Sequence, residues 1–161
     1  MNRVTLLIGG NMGDRMANLD NALNLMKASL GDLIQLSSRY ETSAWGFTEQ
    51  PDFINQAVLL ETNLSAIELM QSILRIEMKL GRERTIPLGP RIIDIDIIYF
   101  NDEIINSPLL TVPHPKMSER LFVLKPLAEI LPNYIHPILL KSNSILLKEC
   151  GDSLAVHKKT N

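Results

Sequence analysis

The chain has 161 residues, 45% hydrophobic and 21% charged, and 16 Lys+Arg against 18 Asp+Glu leave a formal net charge of −2. That length suits one ordinary domain, and that balance excludes disordered, collagen-like and disulfide-stapled chains. A slightly acidic chain without a long block of like charge also lacks the basic face of a dedicated nucleic-acid binder. The apolar runs at 4–8 and 97–100 fall far short of the roughly 18 residues that span a bilayer. The start, Met1-Asn2-Arg3 and a short apolar run ending at Gly9-Gly10, does not have the form of a signal peptide, so a cytoplasmic location is expected. Cys150 is alone, so no internal disulfide forms and no metal-ligand spacing surrounds it.

Residues 4–8 predict a short strand that ends at Gly9-Gly10. From 14 to 28 the apolar residues Met16, Leu19, Leu23 and Met26 repeat at helical spacing, with Asn11 or Asp14 as the cap. Gly31 stops that helix, and residues 33–40 predict a strand with Ile34, Leu36, Ser38 and Tyr40 on one face. A loop over 41–52 leads to a third strand over 53–61. Ser65 and Glu68 then form the capping box of a second helix, whose inner stripe is Ala66, Leu69, Ile73, Ile76 and Leu80. Residues 81–90 are a loop, 91–100 the fourth strand, and Asn101-Asp102 a turn into a short strand over 103–105. The order βαββαβ predicts an α+β, ferredoxin-like fold: an antiparallel four-stranded sheet with two helices on one face. Residues 1–161 are expected to form a single domain, with a core over 1–110 and an irregular, proline-rich appendage over 111–161. Short helices are expected within 119–130.

Inside the apolar fourth strand stand Asp94 and Asp96, two apart and therefore on one face. Their Cα atoms should be roughly 6.5 Å apart, close enough for both carboxylates to lean onto a pair of divalent ions about 4 Å apart. D-x-D alone is a weak signal, equally met by an edge strand whose outer face is wet. The flanks strengthen it, because Arg82, Arg84 and Arg91 precede the pair while His114 and Arg120 follow it. Metal and guanidinium together are what a polyphosphate requires. The Gly9-Gly10-Asn11-Met12-Gly13 turn has neither P-loop nor dinucleotide-binding spacing, so phosphate binding must come from elsewhere. His114 is framed by Pro113 and Pro115, which suits either a side chain held for a phosphate or a plain turn histidine.

These residues resemble the 6-hydroxymethyl-7,8-dihydropterin pyrophosphokinase family of folate biosynthesis. The resemblance is carried nearly end to end by residues 9–14, Gln50-Pro51-Asp52-Phe53-Ile54-Asn55, Gly81-Arg82-Glu83-Arg84, the specific Gly89-Pro90-Arg91-Ile92-Ile93-Asp94-Ile95-Asp96-Ile97 segment, and Val112-Pro113-His114-Pro115 with Arg120 and Phe122. It implies transfer of the β,γ-pyrophosphate of ATP to the hydroxymethyl oxygen of the pterin, with release of AMP. By the same resemblance, Arg82, Arg91, Asp94 and Asp96 are catalytic, and Asp94 and Asp96 hold two Mg²⁺ ions. Glu77, Arg84, Arg91, Ile97, Thr111, His114 and Arg120 would take ATP. Thr42, Ser43, Trp45, Phe53, Asn55, Asp94 and Phe122 would take the pterin, with the flat ring between the two phenylalanines. The implied partners are these small molecules, without nucleic acid or membrane, in a monomer or weak dimer.

Three positions depart from the family pattern: Gly10 replaces the usual Ser, Leu109 an Arg of some members, and Leu88 an aromatic before Gly-Pro-Arg. The loop over 81–90 is expected to be a lid that closes over both substrates. Two other readings fit parts of the pattern. A two-metal nucleotidyltransferase would share the aspartates but needs a basic track for nucleic acid. A non-catalytic ferredoxin-like ligand-binding module would share the fold but has no use for the aspartate pair.

Overall fold

The computed structural model describes residues 1–43, 49–81 and 91–159. Its elements are β1 (Asn2–Gly10), α1 (Arg15–Ser29), β2 (Asp32–Leu36), β3 (Tyr40–Thr42), β4 (Phe53–Thr62), α2 (Ala66–Lys79), β5 (Asp94–Phe100), β6 (Ile105–Asn106), β7 (Thr111–Val112), α3 (Leu121–Ile130), α4 (Asn143–Glu149) and β8 (Val156–Lys158). The main sheet is antiparallel in the order β5-β1-β4-β3-β8, and β2 also pairs with β4. Each of the two β-α-β crossovers skips one strand, as the ferredoxin-like order requires. The aspartate-bearing β5 therefore lies at an edge, and β4 lies between β1 and the β2/β3 side.

Alternation along the strands builds two cores. Val4, Leu6 and Ile8 of β1 pack with Leu19, Ala22 and Met26 of α1 and Leu69, Ile73 and Ile76 of α2. On the opposite face Leu7, Ala57, Leu59 and Tyr99 pack against Val123, Leu124 and Leu127 of α3 and Leu146 of α4. Residues 111–159 are thus more regular than the proline-rich appendage expected, and the short helices expected within 119–130 form as α3. They supply a helical layer, and burying a Leu or Val of this kind contributes about 1.5–3 kcal/mol. Pro126 sits inside α3.

Both helix caps form from local chemistry. Asp14, rather than Asn11, accepts the Ala17 N–H at 3.1 Å, and Ser65 and Glu68 make the reciprocal capping box of α2. The predicted strand over 33–40 divides in two. Pairing with β4 skips a residue between Leu33 and Gln35, so Ile34 and Leu36 end up exposed while Tyr40 is buried. Such a bulge breaks the period of two. Beyond it, Ser37 Oγ accepts the Ala57 N–H at 2.8 Å in place of a backbone partner, and the chain re-enters the sheet as β3. The fourth strand begins at Asp94, three residues later than predicted, because residues 91–93 turn toward the Gly10–Asn11 corner.

In the helical layer, His136 folds the 136–141 turn around its ring. Its Nδ1 accepts the Ile138 and Leu139 N–H groups at 3.1 and 3.0 Å, and burial lowers its pKa from 6.5. The unfolded chain therefore binds this proton more readily than the folded one, and stability is lost as pH falls below about 6.5 toward the depressed folded value. Melting temperature should drop between about pH 7.5 and about pH 5. The drop should shrink in His136→Asn, whose amide oxygen still accepts an N–H but takes up no proton; an equal drop in that variant assigns the acid lability elsewhere.

Candidate active site

Asp94 and Asp96 alternate with Ile95 and Ile97, which are 5% and 7% exposed and committed to the α1/α2 core. The carboxylates consequently share the other face of β5, across from Gly9 and Leu7 of β1. They stand where two cavities meet. One has Phe53, Asn55, Thr42 and Ser43 on one side and Arg120 and Phe122 on the other. The second, of about 400 Å³, lies along the edge of β5 and is lined in part by Glu77, Ile97, Thr111 and His114. Asp94 and Asp96 line both.

The aromatic cavity carries two cations against its rings. The Arg91 guanidinium lies 5.9 Å from the Phe53 ring centre and donates through Nη1 to Asp94 Oδ2 at 2.8 Å. The Arg120 guanidinium lies 5.7 Å from the Phe122 ring centre. Burial, the largest influence, lowers the Arg120 pKa together with Arg91, while Asp96, Glu119 and Asp94 pull it upward; it stays a cation. Asn55, 6% exposed on β4, lines this cavity beside Phe53. A Cβ at Gly9 would lie 2.1 Å from Asn55 Oδ1 and 2.7 Å from the Ile54 carbonyl oxygen, so glycine there gives the amide its room. Thr42 is buried and donates from Oγ1 to the Ala155 carbonyl at 2.9 Å.

On the second cavity, His114 Nδ1 accepts the Lys116 N–H at 3.2 Å, which leaves its proton on Nε2. Burial first, then Arg120 and Lys116, lower the His114 pKa against the opposing pull of Asp94. The ring is thereby a neutral hydrogen-bond donor near pH 7. Glu77, 4% exposed, accepts the Ile95 N–H through Oε2 at 2.9 Å. Sequence placed it only near a nucleotide; it also pins α2 to the residue between the two aspartates. Leu109 is 65% exposed at the rim of this cavity.

Arg91, Asp94, Asp96, Arg120, Phe122, Phe53, Asn55, Thr42 and Ser43 are brought together, and Glu77, Ile97, Thr111 and His114 lie around the adjoining space. Trp45, Arg82, Arg84, Leu88 and the lid expectation lie outside the described residues. Sequence reading missed the role of Asn11. Its Oδ1 accepts the Arg91 N–H at 2.9 Å, its Nδ2 donates to Gln50 Oε1 and the Pro51 carbonyl, both at 2.9 Å, and its backbone N–H donates to the Arg91 carbonyl at 3.0 Å. One buried amide thus joins three chain segments at the mouth of the site. The neighbouring Gly10 departure has a packing reason here, since a Cβ would meet the Ile92 carbonyl oxygen at 2.2 Å. A serine would need these segments to move apart.

Among the described residues no group of three or more His, Cys, Asp and Glu side chains forms a closed metal cage. Two half-buried carboxylates open to a cavity suit Mg²⁺, which is commonly held by one or two carboxylates with substrate phosphates completing its shell. Among the described residues no helix is long and apolar enough to cross a membrane.

The family model described as 7,8-dihydro-6-hydroxymethylpterin-pyrophosphokinase matches residues 5–132. The chain is 41% identical over 138 residues to the 2-amino-4-hydroxy-6-hydroxymethyldihydropteridine pyrophosphokinase of Aquifex aeolicus, covering 86% of each protein. It is 44% identical over 132 residues to the protein of the same name from Bacillus subtilis, covering 81% of this chain and 79% of the relative. The crystal structure of wild-type Plasmodium falciparum HPPK-DHPS with STZ-DHP superposes with a TM-score of 0.75 at 18% identity, over 92% of this chain and 43% of that one. That likeness is one of fold, and the chain spans less than half of that longer protein. The matches in sequence cover the strands, turns and helices that assemble the two cavities, and on them the chain belongs to the 7,8-dihydro-6-hydroxymethylpterin-pyrophosphokinase family.

Proposed function

We propose that this protein is a pyrophosphokinase that transfers the β,γ-pyrophosphate of ATP to 6-hydroxymethyl-7,8-dihydropterin, giving AMP and the pterin diphosphate, a step of folate biosynthesis. The observation that carries the reading is the position of Asp94 and Asp96 on the shared wall of an aromatic cavity and a second one that carries Glu77, Thr111 and His114. A planar heterocycle wants aromatic faces and a satisfied polar rim, and Phe53, Phe122 and Asn55 supply both. The nucleotide takes the second cavity, with Glu77, Ile97 and Thr111 along it and His114 donating from Nε2 to a phosphoryl oxygen. The two substrates then meet at the aspartates.

In the reaction the hydroxymethyl oxygen forms a bond to the β-phosphorus of ATP, the bond from that phosphorus to the α,β-bridging oxygen breaks, and AMP departs with the bridging oxygen. The hydroxyl proton passes to solvent. Arg91 and Arg120 would bind phosphoryl oxygens bidentately as charge shifts toward AMP, and Arg82 and Arg84 are proposed to join them. Asp94 and Asp96 would hold Mg²⁺, as two ions by the resemblance, which when bound would neutralise phosphoryl oxygens and orient the triphosphate. Positioning supplies much of the catalysis, because two bound reactants in line need no further encounter.

The direct test is AMP formation from ATP with Mg²⁺, which should require the hydroxymethyl pterin; AMP release indifferent to the pterin would overturn the reading. Division of the two cavities predicts a second result. Asn55→Ala should raise the pterin dissociation constant about 10- to 100-fold, because a ring edge loses a buried partner worth about 1.5–3 kcal/mol. The dissociation constant of a non-hydrolysable ATP analogue should stay within about twofold. Calorimetry on each ligand separately distinguishes this from a general loosening, in which both would weaken alike.

A further inference from the structure

Residues 152–159 lie beyond the segment matched by the family model, yet they are bonded to both walls of the aromatic cavity. On one wall, Asp152 Oδ2 accepts the Leu121 N–H at 3.0 Å. Leu121 is the first residue of α3, and the helix has no side-chain cap from its own N-cap residue, Arg120. Lys125, one turn along, donates from Nζ to the Val156 carbonyl at 3.0 Å. On the other wall, β8 extends the sheet beside β3, with Thr42 opposite Val156 and Tyr40 opposite Lys158. The Thr42 hydroxyl reaches the Ala155 carbonyl at 2.9 Å, and the Lys159 N–H reaches the Arg39 carbonyl at 2.7 Å. Asp152 also turns the chain from one wall to the other, because its Oδ1 accepts the Leu154 N–H at 2.9 Å.

Phe122 is the second residue of α3, directly after the N–H that Asp152 holds. Thr42 is opposite Phe53 in the ladder of β3 and β4. The two aromatic faces are thus carried by elements that the 152–159 segment cross-links. We infer that this segment is a strap that sets the spacing of Phe122 from the Phe53 and Thr42 wall, with Asp152 as its positioning residue. The inference rests on the pterin reading above for the identity of the ligand. The apolar contacts of Val123, Leu124 and Leu127 hold α3 on the sheet, but burial is non-directional and specifies the position of the helix end less sharply than hydrogen bonds do. Hydrogen bonds at that end are directional. A carboxylate there satisfies an otherwise orphaned N–H and complements the positive helix terminus.

The test is calorimetry of Asp152→Ala, and of a chain ended after Asp152, with two probes: an ATP analogue with Mg²⁺ alone, then hydroxymethyl pterin added to that complex. In Asp152→Ala the pterin dissociation constant should rise about tenfold, the scale of a lost helix cap, while the analogue alone should change by no more than about twofold. Asp152→Asn, which keeps one acceptor, should recover part of the loss. The shortened chain keeps the cap but loses the β3 ladder, and it too should lose pterin affinity. Unchanged pterin affinity in folded variants, or equal weakening of both ligands, would overturn the inference. Should the variants not fold, hydrogen exchange on the full chain decides: pterin should slow exchange at 154–158, and exchange unaltered there would overturn it. An unaltered protein that binds the analogue but no pterin is a different result, and it overturns the functional reading instead.

Discussion

Asp96→Asn and Asp94→Asn should each lower turnover by about a thousandfold or more while the protein still folds. The size follows from what a fixed charge is worth at the reacting phosphoryl group: losing even one neutral donor to a developing charge commonly costs about 10²–10³ in rate. A carboxylate that holds a cation should matter at least as much. Folding should survive because asparagine has the shape of aspartate and because the strand is anchored by Ile95 and Ile97 rather than by the carboxylates. The Asp94 variant should also carry a cost in stability. Asp94 receives the Arg91 guanidinium at 2.8 Å, in a pair whose side chains are 23% and 18% exposed. The Asp94→Asn change would weaken that bond, by no more than about 1 kcal/mol given the access to solvent. Steady-state AMP release and thermal melts read the two effects separately. Turnover within about tenfold of the parent in either variant would remove that residue from the catalytic group.

The sequence made the arrangement around β5 legible because two periods agree there. Alternation buries Ile95 and Ile97 and leaves the aspartates on one face, and the capping box and apolar stripe of α2 place a helix beneath them. Phe53 and Asn55 were singled out only through the family resemblance; strand alternation puts them on one face of β4 but does not mark them as a site. The helical layer within 111–159 was legible only in part: short helices were expected within 119–130, where α3 forms, but α4 was not expected, and only the apolar underside of the sheet calls for a cover. β2 and β3 were merged because nothing in the period announces a bulge at Ile34 or a serine hydroxyl standing in for a backbone acceptor. The strap was illegible for a different reason. Asp152 caps a helix 31 residues earlier in the chain, and caps are recognisable in sequence only when they are local.

Asn11 shows the same limit at the site itself, and its removal is the second large effect. An asparagine in a glycine-rich turn just before a helix has the sequence features of a cap, but Asp14 takes that role and leaves Asn11 2% exposed among the segments it joins. Asn11→Ala deletes three side-chain hydrogen bonds and leaves the Arg91 N–H and the Pro51 carbonyl to find water at a crowded corner. At about 1–3 kcal/mol for each such group, the loss should total about 3–4 kcal/mol, a large share of the roughly 5–15 kcal/mol typical of a domain of this kind. The melting temperature should fall by about 10 °C. The functional loss should exceed what unfolding explains, because Arg91 lies three residues before Asp94 and its backbone N–H is held at this corner by the Asn11 amide. Measured well below the new melting temperature, turnover should fall about tenfold or more. Asn11→Asp separates the causes: its carboxylate can still accept the Arg91 N–H but cannot donate to Gln50 or Pro51. It should therefore retain more turnover than Asn11→Ala even where its stability is no better. Equal turnover in the two variants would show that the corner serves stability and not the placement of Arg91.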